Sequence, residues 1–277
     1  MKLIGFFVLT AFFSITTSCS DIPLAKDTIL DSQINEVNII NNHPLLKKLG
    51  IEMVFVPAGS FMMGAQSSID MENYNREKPI HKVTLNAFEM GKYEVTQRQW
   101  KAIMGSTPSK FKECGLDCPV EQVNLEEIQV FISKLSQRTG YDFRLPTEAE
   151  WEYACRSGGE KEKYCGGDNF DQLAWYRRDF KNRTTHPVGK KTPNGLGIYD
   201  MSGNVNEWVQ DWYAPYPDES VHNPMGPESG TWRVIRGGSW SHHRIKNRST
   251  YRFPTNVGYG IHFTGFRLAK SRSTPNR

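Results

Sequence analysis

The residues of this chain best suited to chemistry are two adjacent histidines, His242 and His243. They follow a glycine pair in the segment 233–244, which reads R-V-I-R-G-G-S-W-S-H-H-R. Imidazole binds transition metals and exchanges protons near neutral pH. Successive glycines let the backbone adopt positive φ and approach a neighbouring segment closely. We therefore expect a short strand at Val234 and Ile235, then a tight turn that presents the histidines to a ligand or a metal.

A second candidate site is the glycine-containing turn at 195–208, G-L-G-I-Y-D-M-S-G-N-V-N-E-W. Asp200 and Glu207 supply carboxylates on this turn, and backbone carbonyls lie between them. Hard oxygen ligands on a tight loop suit Ca²⁺. A capped turn with solvated carboxylates is the alternative. We expect a structural calcium ion that holds this irregular region in place.

Three glutamates, Glu148, Glu150 and Glu152, are close enough in sequence to suggest an acid and base pair. They fall in the first turns of a predicted helix, where acidic side chains cap free N–H groups and favour the helix dipole. We therefore predict structural roles for them. The arginines expected to hold carboxylates or carbonyls inside the fold are Arg144, Arg236 and Arg267.

The N-terminus has the pattern of a bacterial signal peptide. Lys2 precedes an apolar run at 3–13, and the small residues before Cys19 are typical of a lipoprotein cleavage site. We predict that residues 1–18 are removed and that Cys19 carries a lipid. Ordinary cleavage, giving a soluble exported protein, is the alternative. Either way, the protein is expected outside the cytoplasm, in the periplasm or on a membrane.

The four other cysteines are expected to form disulfides, because exported proteins fold in oxidising compartments. The simplest pairing joins Cys114 to Cys118 and Cys155 to Cys165. These spacings also permit a metal site, but no histidine lies near either pair.

The elements that must position these residues are short. Short apolar runs predict strands at 53–56 and 61–63, an alternating pattern predicts one at 81–85, and the sheet continues through Phe88 and Met90. Capping residues followed by apolar residues at helical spacing predict helices after Thr96, Asn124 and Thr147. Residues 158–197 contain only short elements, so disulfides, an ion or stacked aromatic rings must hold them in place.

The domain organisation follows from composition. Residues 19–50 are polar and predict a flexible tether, residues 51–270 a single domain, and residues 271–277 a tail. The formal charge of +4 is mild, and no basic block contains interleaved aromatic residues, which argues against nucleic-acid binding.

Several segments together carry a family resemblance. They are V-P-A-G-S-F-M-M-G at 56–64, Y-E-V-T-Q-R-Q-W at 93–100, F-R-L-P-T-E-A-E-W-E-Y-A at 143–154, the turn at 195–208, R-V-I-R-G-G-S-W at 233–240 and G-F-R-L at 265–268. In this order they resemble the formylglycine-generating enzyme, or sulfatase-modifying factor, family. The resemblance implies a loop-rich α+β fold related to C-type lectins.

The resemblance also implies a ligand set for calcium. The ligands would be the side chains of Asp200 and Glu207 with the carbonyls of Gly203 and Val205. A second calcium site of the family would need an asparagine near residues 174 and 175, which this chain lacks.

The resemblance places the family's catalytic residues in the opening segment. The family's oxidases bind copper(I) through two cysteines separated by four residues, and O₂ then converts a substrate cysteine to formylglycine; soft thiolates suit copper(I). By position the cysteines fall at His242 and Asn247, and no cysteine lies beyond Cys165. The family's copper chemistry is therefore expected to fail in this chain.

Three functions remain open. We favour a non-catalytic binding or assembly module of the bacterial cell envelope, held at a membrane by its lipid and acting on a protein or peptide partner. The second is an altered oxidase that binds copper or iron through His242, His243 and His262. Adjacent strand residues point to opposite faces, so ligation by one histidine and a distant partner is the more expected arrangement. The third is formylglycine generation on sulfatase cysteines by a route without the cysteine pair.

Overall fold

The three principal helices begin where the sequence predicts. The computed structural model describes residues 34–65, 74–177, 183–256, 258 and 260–272. Residues 34–41 are helical, and the further helices are α1 (Pro44–Leu49), α2 (Gln97–Met104), α3 (Leu125–Thr139), α4 (Glu148–Cys155) and α5 (Phe170–Leu173), with 3₁₀ turns at Tyr74–Glu77, Lys112–Cys114 and Arg244–Asn247.

Capping boxes start the three principal helices. Thr96, Asn124 and Thr147 each accept a hydrogen bond from the N–H three residues later, and the side chain at that position bonds back to the cap N–H. Gly140 ends α3 with φ of 76°, a left-handed conformation that favours glycine. These predictions are confirmed.

The strands form three small sheets. They are β1 (Met53–Val56), β2 (Gly59–Met63), β3 (His81–Leu85), β4 (Phe88–Gly91), β5 (Phe143–Arg144), β6 (Asn206–Trp212), β7 (Val221–His222), β8 (Arg233–Arg236), β9 (Arg252–Thr255), β10 (Thr264–Gly265) and β11 (Ala269–Ser271). The strand orders are β1-β4-β11-β5, β10-β6-β8-β9 and β2-β3-β7. The architecture is the loop-rich α+β fold that the sequence predicts.

The second sheet brings the two candidate sites together. Strands β6 and β8 are antiparallel, with Glu207 opposite Arg236. The turn before β6 therefore lies beside the glycine pair that follows β8, and the Gly203 N–H donates to the Gly237 carbonyl at 2.9 Å. Pairing of these strands, rather than closeness in sequence, positions both turns.

The N-terminal part of the domain differs from the predicted tether. Ile40, Leu46 and Leu49 lie in a hydrophobic cluster with Ile51 and Met53, so the ordered domain includes residues 34–50. Burial of these apolar side chains favours packing over a free linker. The predicted signal peptide, Cys19 and residues 20–33 lie outside the described residues.

Two hydrophobic clusters make up most of the core. One contains a parallel stack of Trp100 on Phe131 with a centroid distance of 5.2 Å. The other surrounds Trp151 of α4. The predicted disulfides Cys114–Cys118 and Cys155–Cys165 are both present, and the second ties the end of α4 to the irregular segment after it. Among the described residues, no helix has the length and apolar character needed to span a membrane.

Candidate functional site

The glycine pair after β8 forms a tight junction in which glycine is required. Gly237 and Gly238 have φ of 88° and 70°. A Cβ on Gly238 would lie 2.5 Å from the Lys246 carbonyl oxygen and 2.5 Å from Asn247 Oδ1. The pair therefore brings the 3₁₀ turn Arg244–Asn247 against the strand end, as its sequence predicts.

The resemblance places the family's two cysteine positions at His242 and Asn247. Asn247, at the second of them, is fully buried. Its side-chain Nδ2 donates to the His243 backbone carbonyl at 2.9 Å, and its backbone carbonyl accepts from Ser202 Oγ at 2.9 Å. The Oδ1 atom is buried without a hydrogen-bond partner. The carboxamide thus closes the turn onto His243, the backbone carbonyl links the turn to Ser202, and the residue offers no thiolate.

His242 occupies the first cysteine position. Its Nδ1 lies 3.1 Å from Ser239 Oγ, and its ring packs against Phe263 with centroids 5.3 Å apart. Burial, with smaller contributions from Lys246 and His243, lowers the pKa of His242 to about 4. The imidazole is therefore neutral near pH 7, which is the form that binds metals.

The other candidate histidines do not complete a metal site. His243 is exposed, and its carbonyl accepts from Lys246 N at 3.0 Å. His262 is partly buried, and burial followed by the charge of Lys110 lowers its pKa. The residues that the structure describes contain no group of three or more His, Cys, Asp or Glu side chains able to hold a metal ion.

An aromatic group, which we call the Trp240 cluster, lies beside these histidines and consists of Phe111, Trp240 and His262. Phe111 packs edge-on against Trp240 at 5.2 Å, and His262 lies 6.0 Å from Phe111 and 6.1 Å from Trp240. Lys110 is exposed, with its Nζ 5.6 Å from the Phe111 ring centroid. Sequence reasoning missed Phe111, because 151 residues separate it from His262.

Two buried polar atoms in and beside this cluster lack partners. Trp240 Nε1 and Glu121 Oε2 have no hydrogen-bond partner in the described structure. Glu121 Oε1 accepts from the Phe111 N–H at 2.9 Å, which places this carboxylate beside the cluster. Burial raises the pKa of Glu121. Unsatisfied buried groups are costly and favour a ligand or ordered water that pairs with them.

The proposed calcium turn contains an available carboxylate oxygen. Asp200 has φ of 58° and is 3% exposed, and its Oδ2 accepts from the Gly189 N–H at 2.7 Å. Its Oδ1 is buried without a partner. Burial raises the pKa of Asp200 to about 6. This oxygen would gain a partner if a cation were bound.

The other proposed ligands lie close to a third carboxylate, Glu94. Glu94 accepts from Asn204 Nδ2 at 2.7 Å and from the Val205 N–H at 3.1 Å, so it orients the turn that contains the two carbonyls. Burial raises the pKa of Glu94 well above its ordinary value, and the charges of Asp200 and Glu207 raise it further.

The charge balance of this turn fits a divalent cation. Glu207 pairs with Arg267, and the charge of Lys191 has a weaker electrostatic effect on Asp200. In the described structure, the three buried carboxylates of Glu94, Asp200 and Glu207 therefore outnumber Arg267, the one cation that is closely paired with them. Glu207 Oε1 accepts one hydrogen bond, from Arg267, and retains a free lone pair. The side chains of Asp200 and Glu207 could bind calcium with the carbonyls of Gly203 and Val205.

The glutamates of α4 have the structural roles that the sequence predicts. Glu148 pairs with Arg252 at 2.5 Å, and Glu150 pairs with Arg144 at 2.6 Å. Glu152 pairs with Arg236, which also donates to the carbonyls of residues 249–251. Each of these carboxylates forms an ion pair with an arginine, as expected for a structural role rather than for an acid and base pair in catalysis.

Known proteins share both the sequence and this fold. LppX of Paenibacillus barcinonensis, named a chaperone protein, is 34% identical over 241 residues, covering 68% of this chain and 78% of LppX. The formylglycine-generating enzyme of Mus musculus is 28% identical, covering 70% of this chain and 67% of the enzyme. The structure of Treponema denticola variable protein 1 superposes with a TM-score of 0.72 at 31% identity, covering 80% of this chain and 95% of that protein.

A family profile covers nearly all of the ordered domain. Residues 43–272 match the family described as "Sulfatase-modifying factor enzyme 1-like domain". The match begins in the N-terminal helices and ends after β11. This chain therefore belongs to the sulfatase-modifying factor enzyme 1-like family.

Proposed function

We propose that the chain is an exported, lipid-anchored protein of the bacterial cell envelope whose domain binds a partner without catalysis. The observation that carries this proposal is the state of the two cysteine positions. Asn247 is buried and bonded to the scaffold, and His242 is neutral and bonded to Ser239. The family's fold is retained while the thiolates that bind copper(I) are absent.

The Trp240 cluster is the proposed binding surface. Phe111 and His262 are partly exposed and provide apolar area beside the buried Trp240 ring, while Trp240 Nε1 and Glu121 Oε2 are a buried donor and acceptor without partners. Lys110 lies beside Phe111, and among the described residues no carboxylate oxygen is within 4.0 Å of its amine. An envelope protein or a peptide is the proposed partner, which the naming of LppX as a chaperone favours.

Export and lipid attachment rest on the N-terminal sequence. The apolar run at 3–13 and the small residues before Cys19 support cleavage and lipidation at that cysteine. Membrane fractionation tests this part. The mature protein should sediment with membranes, and Cys19→Ser should release it into the soluble fraction.

Calcium is proposed as a structural ion at the Asp200 turn. Its role would be to neutralise the buried carboxylates and to hold the turn before β6 in place. This role is independent of the partner-binding surface.

An altered oxidase is the second candidate function. Its support is that the His242 imidazole is neutral and beside the family's catalytic position. It requires copper or iron bound through His242 with His243 or His262, although the described residues contain no cluster of three metal-binding side chains. Formylglycine generation is the third candidate and would require a route without thiolates.

Metal analysis separates these functions. Protein purified without chelator should contain no stoichiometric copper or iron if the domain is non-catalytic. One equivalent of either metal, lost in His242→Ala and retained in a control such as His222→Ala, would contradict the proposal and support the altered oxidase.

A further inference from the structure

A small cavity lies at the far end of β6, away from the Trp240 cluster. It has a volume of about 80 Å³, and its lining combines the polar side chains of Asp211, Glu148, Arg252 and His81 with Met63, Trp212, Tyr216 and four prolines. One water molecule needs about 10–15 Å³ measured in this way, so the cavity has room for several waters or for the end of a narrow chain. Asp211 and Asn206 lie at opposite ends of β6, roughly 15 Å apart at the ordinary rise of a strand.

Asp211 contributes a carboxylate oxygen without a partner to this cavity. The side chain is 5% exposed, and Oδ2 accepts from the Glu148 N–H at 2.7 Å. Oδ1 accepts no hydrogen bond from any residue that the structure describes, and within the same residues no Lys, Arg or His nitrogen lies within 4.0 Å of the carboxylate. A buried carboxylate in this state favours a cationic hydrogen-bond donor.

The carboxylate of Glu148 is already neutralised. Arg252 donates to both of its oxygens, at 2.7 and 2.5 Å, and the Tyr216 hydroxyl also donates to it. Arg233 stacks on Trp212 at 3.7 Å and its charge interacts with that of Asp211, but within the described structure the two form no ion pair of 4.0 Å or less. Asp211 therefore keeps one carboxylate oxygen for a ligand. Burial, followed by the charge of Glu148, raises the pKa of Asp211 to about 8 against the opposing charge of Arg252.

The segment that supplies the prolines of the cavity is acidic. Residues 213–232 contain Asp218, Glu219 and Glu228 and no lysine or arginine. All three side chains are exposed, and none forms an ion pair within the described part of the chain. An approaching cation would therefore meet favourable charge at the surface as well as in the cavity.

We propose that this cavity binds the primary ammonium group of an unbranched alkyl chain, supplied by a lysine side chain or by a free diamine. The ammonium would donate to Asp211 Oδ1, and its methylene groups would pack against the prolines and Met63. A guanidinium has five donors and an ammonium three, so the ammonium leaves fewer donors unpaired at one free carboxylate oxygen. Ca²⁺ needs six or more oxygen ligands, which these mainly apolar walls do not provide. The proposal does not depend on the function of the Trp240 cluster.

Calorimetric titration of the mature protein with 1,5-diaminopentane and with an N-acetyl-lysine amide tests this proposal. Both ligands present the same primary ammonium group. The ligand that binds more tightly shows whether the natural source is a free diamine or a lysine side chain. The expected result is saturable binding that is lost when the ammonium is acetylated. This comparison uses the unaltered protein and needs no variant to fold.

The variant Asp211→Asn then tests the contact itself. An asparagine oxygen can still accept from the Glu148 N–H, so the helix start is retained. We expect affinity to fall at least about tenfold, while the matched surface variant Ser220→Ala should bind as the unaltered protein does. Undetectable binding of both ammonium ligands would overturn the proposal. Equal binding of the acetylated ligands, or undiminished binding by folded Asp211→Asn, would also overturn it.

Discussion

The Arg267 guanidinium donates two hydrogen bonds of 2.6 Å to the Glu207 carboxylate. The same carboxylate accepts from the Trp151 indole at 2.7 Å. This pair joins the G-F-R-L segment to β6 and to α4, which explains why the family's separated motifs meet in one core. It neutralises Glu207 and leaves Glu94 and Asp200 as buried carboxylates without an equally close cation.

Calcium should stabilise the protein through this excess of negative charge. Addition of calcium to chelator-treated protein should raise the melting temperature, because a ligand that binds the folded state shifts the unfolding equilibrium. Asp200→Ala should abolish the increase, and Asp218→Ala at an exposed position should preserve it. A melting temperature that is independent of calcium in the unaltered protein would contradict the proposed ion.

Breaking the buried pair between Arg236 and Glu152 should destabilise the protein strongly. Arg236→Met leaves the Glu152 carboxylate with fewer partners in the core, and removal of one member of a buried ion pair costs about 3–5 kcal/mol. Urea denaturation measures this loss. The control Arg98→Met removes an exposed pair with Asp117 and should cost less than about 1 kcal/mol. Equal losses in the two variants would show that burial of the pair has no such effect.

Asp211 should make stability decrease as pH rises. Its pKa is raised from 3.8 to about 8 by burial, so the folded state binds the proton more tightly than the unfolded state. The free energy of unfolding should therefore fall between about pH 4 and pH 8. Asp211→Asn should flatten this part of the stability profile, measured by urea denaturation across that range. An unchanged slope in the variant would argue against a raised Asp211 pKa.

His242 should remain neutral well below the ordinary pKa of histidine. In the folded protein its pKa is about 4, below the 6.5 of an ordinary histidine, so the unfolded state takes up the proton first as pH falls. The contribution of His242 to the free energy of unfolding should therefore be lost as pH falls from about 6.5 through about 4. NMR titration of the imidazole protons measures this directly. A His242 midpoint near 6.5 would mean that burial does not control this ring.

Local signals predicted the helices and the roles of the α4 glutamates. Thr147 and Glu150 lie within one helical turn, so their capping box follows from sequence alone. Residues 34–50 were expected to be a tether because polar residues separate their apolar ones. Val37 and Ile40 nevertheless lie on one helix face and become buried only against the rest of the domain.

Long-range pairs could not be predicted in the same way. Glu152 and Arg236 are 84 residues apart, and Glu207 and Arg267 are 60 residues apart. Their residue types indicated structural anchors, but the choice of partner depends on how β6, β8 and α4 pack. The Asp211 cavity likewise forms only where the end of β6 meets the proline-containing segment, so no sequence pattern indicated it.

Oxygen consumption tests the proposed loss of catalysis most directly. The mature protein, supplied with copper(I) or iron(II), a thiol reductant and a cysteine-containing sulfatase peptide, should consume no more O₂ than the same mixture without protein. His242→Ala should behave identically. Protein-dependent and metal-dependent O₂ uptake that disappears in His242→Ala would contradict the non-catalytic function.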